Sequence, residues 1–287
     1  MEFPFDSASA AATRRTLEEA QALLEHYVLI RPRRADTPLL VAVCGATGAG
    51  KSTLVNSAAG EIVTTPGVLR PTTRVPVLVH HPSDTPWFPS EHVLSEQRSA
   101  VRVPRGVVLM DTPPLASIAD TNRPAAPPAI AAADLWIFMT TAARYADAVP
   151  WHVLARAADR RVPITVVVNR VPTDAMTEIR THLASLLAAR GLGSATLFAV
   201  EETTLDSSGM FPTHVAEPVV RWLHEVPGEV SVRTVMAQRA VDGAIDHVLA
   251  LVSQALDEAE VDVFGDAERA ELGVAIADVR AVRGAAG

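Results

Sequence analysis

At 287 residues, with a net charge of −8 and a pI near 5.6, the chain has room for a large α/β domain plus helical additions and lacks the basic balance of a general nucleic-acid-binding surface. A single cysteine, Cys44, excludes an internal disulfide and a thiolate metal cluster. No run of about eighteen apolar residues occurs, and Met1-Glu2-Phe3-Pro4-Phe5-Asp6 lacks the basic start and apolar stretch of a secretory signal, so a cytoplasmic location is expected.

In chain order, residues 7–30 carry Leu17, Leu23, Leu24, Tyr27 and Val28 at helical spacing, and Arg31-Pro32 ends the pattern. Arg31, Arg33 and Arg34 read as a solvated linker. Residues 39–44 form an unbroken apolar run, as expected of a parallel strand buried on both faces, with Cys44 as a small buried hydrophobe. A glycine-rich loop follows, then a helix over 51–59 closed by Gly60. Residues 75–80 and 107–110 predict the second and third strands, the latter ending at Asp111, with a loop or small insertion over 82–89 between them. His80-His81 lacks metal-ligand spacing and reads as a pair of surface or edge-strand histidines.

Residues 113–128 carry five prolines and predict a long loop. Strands are then expected over 135–140, 164–168 (ending at Asn169) and 196–200. They alternate with helices near 150–158, over 177–190 (stopped by Gly191) and over 215–225. A long amphipathic helix over 230–263 and a last helical stretch over 267–282 complete the chain. The alternation predicts an α/β fold: a doubly wound, mostly parallel sheet of about six strands over 37–228. An N-terminal helix (1–36) and C-terminal helices (229–287) flank it as a neck or partial helical bundle, with the chain expected to be a fragment of something longer.

Lysine occurs once, at position 51, against twenty-four arginines. It lies in Gly45-Ala46-Thr47-Gly48-Ala49-Gly50-Lys51-Ser52, the G-x-x-x-x-G-K-S pattern of a P-loop, between an expected buried strand and a helix. Backbone N–H groups of such a turn bind phosphate at a helix N-terminus, so Gly45, Thr47, Gly48, Ala49 and Gly50 with Lys51, Ser52 and Thr53 form the expected nucleotide cradle. Lysine suits the role because its ammonium is a slim point charge, where a guanidinium is a planar fork. Ser52 is expected to ligate Mg²⁺. Thr73, in Arg70-Pro71-Thr72-Thr73-Arg74, can reach the Mg²⁺ and the γ-phosphate as a switch. Asp111, ending the third strand at the same phosphate edge, can hold Mg²⁺ through water. Lys51, Thr73 and Asp111 are thus the candidate catalytic set, and Ser52, Thr73 and Asp111 the candidate metal set. Asn169 and Arg170 stand where a guanine-reading segment belongs.

With these four elements in order, the chain over about 38–225 resembles the translation-factor-class GTPases, and within them the Era-type and bacterial dynamin-like proteins. The string Thr140-Thr-Ala-Ala-Arg144-Tyr145-Ala146-Asp147-Ala148-Val149 is similar to actinobacterial dynamin-like GTPases in particular. The resemblance implies Mg²⁺-dependent hydrolysis of GTP to GDP and phosphate. It also implies coupling of switch closure to a head-to-head homodimer, to a related dynamin-like partner or to neck movement, in membrane remodelling or cell division. Membrane contact would then be peripheral, through regions outside this chain. Arg144 is a candidate arginine finger or a surface arginine.

Several positions depart from the family pattern. Pro114 occupies the place of the DxxG glycine and has no N–H, and Leu115 stands where Ras-like GTPases carry a catalytic glutamine. Thr47 and Gly48 replace the glutamine and serine of eukaryotic dynamin P-loops. Pro172 replaces the aspartate of the N/TKxD base-reading motif, with Asp174 two residues on as a substitute carboxylate. These departures keep two alternatives open: a nucleotide switch or scaffold with little hydrolysis, and an ATP-using P-loop enzyme.

Overall fold

The computed structural model describes residues 38–65, 76–87, 96–114, 133–147 and 162–226, with further helical positions at 151, 154–155, 158, 242, 245–246 and 248–253. The expected helices over 7–30 and 267–282, the switch segment over 66–75 and the loop from 115 to 128 lie outside the described residues. No helix among the described residues is long and apolar enough to cross a membrane.

The strands are β1 (Leu39–Gly45), β2 (Val77–His80), β3 (Glu96–Ser99), β4 (Val107–Asp111), β5 (Leu135–Thr141), β6 (Ile164–Val171) and β7 (Thr196–Glu201). They form one seven-stranded sheet in the order β3-β2-β4-β1-β5-β6-β7. All pairings are parallel except β2 with β4. The helices are α1 (Lys51–Ala59), α2 (Met176–Ala189) and α3 (Thr213–Glu225). The mostly parallel α/β fold is therefore as expected, with one strand more than the sequence reading. That strand, β3, is Glu-Gln-Arg-Ser and almost wholly exposed. It joins the edge by backbone hydrogen bonds beside β2, a role that requires no apolar pattern. Within the loop or small insertion expected over 82–89, residues 82–87 form a 3-10 helix. His80 is buried on β2, with Nδ1 bonded to the His81 carbonyl, and is not a surface histidine.

Side-chain alternation along the central strands divides the core between the two faces. Leu39, Val41 and Val43 of β1 pack with Leu109, Ile137 and Met139 on one face, under Leu54, Val55 and Ala58 of α1 and Val219 and Leu223 of α3. Ala42 and Cys44 turn to the other face with Met110, Trp136, Phe138 and Val166, under Leu183 and Leu187 of α2. Burial pushes the Cys44 thiol up to about 12, as befits a hydrophobe and not a nucleophile. Asp134, fully buried, accepts from Leu40 N at 2.7 Å through its carboxylate while its own N–H donates to Leu40 O at 2.8 Å, fastening the entry of β5 to β1.

Where β1 passes into the loop the backbone admits no side chain. Gly45 has φ +149°, and a Cβ there would stand 2.1 Å from the Met139 carbonyl oxygen of the adjacent strand. Gly48 also has positive φ, yet nothing lies within 4 Å of its would-be Cβ. We expect Gly45→Ala to cost about 3 kcal/mol or more, because backbone must move, and Gly48→Ala about 1 kcal/mol, from conformation alone. Thermal denaturation of both variants without nucleotide checks this. Equal losses would show that the contact with β5 is not the constraint.

Candidate functional site

Three segments converge at the carboxyl edge of the sheet: the loop after β1, the end of β4 and the end of β6. Such an edge is where open α/β sheets bind ligands. The loop enters α1 through Gly50, whose φ of 102° is left-handed, and no side chain caps the helix. No acidic residue occupies its first turn. The first N–H groups of α1 are thus left to an anion.

Lys51 is 7% exposed, and its Nζ donates to the Ala46 carbonyl at 3.1 Å, folding the side chain back over the loop. Ser52 Oγ donates to Asp111 Oδ2 at 2.7 Å, tying the start of α1 to the end of β4. Asp111 is fully buried and its other oxygen, Oδ1, has no hydrogen-bond partner among the described residues; neither does the buried Thr64 Oγ1. Thr64 nevertheless lies near enough to help stabilise the Asp111 charge. Burial pulls the Lys51 ammonium below its ordinary value, with Asp111 opposing the shift. Burial likewise raises the Asp111 carboxyl, with the Ser52 and Thr64 hydroxyls and then Lys51 opposing it. Next in the chain, Thr112 Oγ1 donates to Val43 O at 2.9 Å, locking the exit of β4 onto β1.

The donor set fits Mg²⁺: a serine hydroxyl and a carboxylate with an unpartnered buried oxygen are hard oxygen ligands for a cation that also takes substrate phosphates. Ser52 and Asp111 are the residues that would hold it.

At the third segment Asn169 is buried, and its Nδ2 donates to the Ala49 carbonyl at 3.0 Å while Oδ1 accepts from Arg170 N at 2.8 Å. The end of β6 is thereby fastened to the phosphate loop. Gly50 makes the approach possible, since a Cβ there would lie 2.7 Å from that same Nδ2. Arg170 takes φ 54° at an irregularity in the β6–β7 pairing and is exposed.

Of the sequence-expected residues, Gly45, Thr47, Gly48, Ala49, Gly50, Lys51, Ser52 and Thr53 form the loop and first turn of α1, with Thr47 and Gly48 exposed at the tip. Asp111 and Asn169 come to the same loop through hydrogen bonds to Ser52 and Ala49. Thr73 and Leu115 lie outside the described residues. Arg144 is engaged in an exposed ion pair with Asp147 at 3.0 Å. Asn56 and Thr64 were not anticipated. Asn56 is fully buried in α1 and binds Thr64 O through Nδ2 and the Val63 and Thr64 N–H groups through Oδ1. It holds the chain leaving α1 against the site, and its one sequence signal is a polar residue on the buried side of a helix.

Fold and loop together have the α/β architecture of the P-loop GTPase fold, with a mostly parallel sheet and flanking helices. Residues 40–170 match the family described as 50S ribosome-binding GTPase. No curated protein matches the sequence. Among solved structures the chain is similar to Era from Aquifex aeolicus bound to GDP·AlF4⁻, at 18% identity and TM-score 0.42 over 64% of this chain and 56% of that one. It is also similar to a member of an oligomerised bacterial dynamin pair associated with long-range sensing and tethering of membranes, at 13% identity and TM-score 0.50 over 88% of this chain and 45% of that one. The chain thus spans about half the length of these structures, 56% and 45%.

The Asp111 shift fixes the sign of a pH effect. Its folded value lies above the ordinary 3.8, so the folded chain holds this proton more tightly than the unfolded chain does. The contribution is fully present below pH 3.8 and is lost as pH rises through the folded value. The stability of the wild-type chain minus that of Asp111→Asn should therefore decline from acid toward neutral pH. Urea denaturation of both proteins without Mg²⁺ or nucleotide measures it; a difference that rises with pH would mean that hydrogen bonding outweighs burial.

Proposed function

We propose that the chain is the head of a dynamin-like GTPase that binds GTP with Mg²⁺ and hydrolyses it to GDP and phosphate. The observation that carries the reading is the buried Lys51 folded over an uncapped helix N-terminus, beside the Ser52–Asp111 hydrogen bond.

A nucleoside triphosphate would lay its β- and γ-phosphates along the loop, exchanging the Ala46 carbonyl for phosphate oxygens at Lys51 Nζ. The N–H groups of the loop and of the first turn of α1 would hold charge that grows in the transition state, at no cost of reorganisation. Mg²⁺, when bound, supplies charge neutralisation at the phosphates. Thr73 would close over the γ-phosphate as a switch. Asn169 retains one amide N–H beyond its bond to Ala49, suited to purine N7, and the exposed Arg170 can stack on the base.

The dynamin-like part rests on the sequence string over 140–149 and on helical positions past the domain at 242, 245–246 and 248–253. The likeness to the bacterial dynamin covers 88% of this chain, well beyond the family span of 40–170, which supports a head with part of its neck. Switch closure would then drive a head-to-head dimer, a pairing with a related dynamin-like chain, or movement of the neck at the inner face of a membrane.

A second reading is a nucleotide switch with little turnover. It is favoured by Pro114, buried three residues after Asp111, which brings no N–H to a γ-phosphate.

Lys51→Ala should weaken GTP binding at least about 100-fold, the loss of a charged partner to buried phosphates, while leaving the fold intact. Titration with a fluorescent GDP, competed by GTP and by ATP, measures it. Unchanged affinity in that variant would sink the nucleotide site, and equal competition by ATP would sink the guanine preference. Phosphate release that accelerates with protein concentration, with or without liposomes, supports the dynamin-like head; tight binding without release supports the switch.

A further inference from the structure

Asn169 by itself does not tell guanine from adenine, because both purines present N7 as an acceptor. The bases differ on the opposite edge, where guanine offers N1–H and N2–H₂ donors and adenine offers an unprotonated N1. A carboxylate accepts both guanine donors and repels the adenine lone pair. The position at which the resembled motif carries that carboxylate is Pro172, which has no polar side chain.

We infer that Glu201 supplies the missing carboxylate from the neighbouring strand. The inference rests on the GTP-binding reading above and assigns its base specificity. Glu201 ends β7 and lies directly opposite Val171, the last residue of β6. Glu202 N donates to Val171 O at 2.9 Å, so past the irregularity between Val168 and Val171 the strand ends are paired again where Pro172 leaves the sheet. Thr173 Oγ1, adjacent to Pro172, donates to Glu201 Oε1 and draws the side chain toward the chain leaving β6. The second carboxylate oxygen makes no hydrogen bond among the described residues, and Glu201 is exposed and in no ion pair there. A hydroxyl on the β6 side thus orients an acid on the β7 side, so the acid comes from the strand next to the one that carries Asn169.

The rival acid, Asp174, stands in the 3-10 helix Thr173–Ala175 past the end of β6, exposed and with no hydrogen bond to either strand end among the described residues. Nothing orients it toward the base end.

The test uses the full chain, with GTP, ITP, XTP and ATP each competing against a fluorescent GDP. Glu201→Gln replaces an acceptor by an amide whose N–H₂ complements the C2 carbonyl of xanthine. In the wild type GTP should bind best, with ITP, which lacks the 2-amino group, about 10-fold weaker. Glu201→Gln should lose about 10- to 100-fold in GTP affinity and bind XTP better than the wild type does, with an unchanged melting temperature. Asp174→Asn should keep the wild-type order. A Glu201→Gln protein with wild-type GTP affinity, or one that loses GTP without gaining XTP, overturns the assignment. So does an Asp174→Asn protein that switches to XTP. A wild type that binds GTP and ATP equally refutes the GTP reading itself, whereas failure in the variants alone refutes only the role of Glu201.

Discussion

Two opposite charges kept out of water, one at the start of α1 and one at the end of β4, set the terms for this domain. Lys51 follows β1 and Asp111 ends β4, and for each the cost of burial outweighs the help given by its neighbours. A buried pair of this kind adds little net stability, since desolvation offsets the attraction. The sheet supports it because β1, β4, β5 and β6 are nearly continuous apolar strands buried by layers on both faces. The hydrophobic core carries the fold, and the buried polar groups gather at its carboxyl edge.

That edge is built from close approaches of backbone. Gly45 lets β1 turn against the Met139 carbonyl, and Gly50 lets the loop meet the Asn169 amide. The bond from Asn169 to Ala49 makes the end of β6 and the loop after β1 one rigid unit. Asn56 extends the unit beyond α1 by holding Val63 and Thr64. A nucleotide would thus meet a preformed surface and spend little of its binding energy on ordering it. The chain from 66 to 75, which carries Thr73, follows directly from Thr64 and Thr65. The segment expected to act as a switch therefore emanates from a fixed anchor.

The P-loop was legible because its requirements are local: glycines where φ is positive, one lysine at a helix start, an apolar run before it. The central strands were legible for a related reason, since burial on both faces demands unbroken apolar runs. Strand β3 was not, because Glu-Gln-Arg-Ser joins an edge through backbone groups alone. The depth of His80 was not, because adjacency to His81 suggested a surface or edge-strand pair, while His80 is buried at the end of β2, a strand inside the sheet.

By itself the sequence determined the phosphate loop, the alternation of strands and helices, and the absence of a proper aspartate at position 172. Each is a property of neighbouring residues, expressed in backbone conformation or in periodic burial. Only the tertiary structure brought Ser52 to Asp111, Asn169 to Ala49 and Thr173 to Glu201, partners 59, 120 and 28 residues apart in the chain. Such contacts follow from which strands lie side by side and in what register, and sheet pairing is a choice among distant segments that no local pattern encodes.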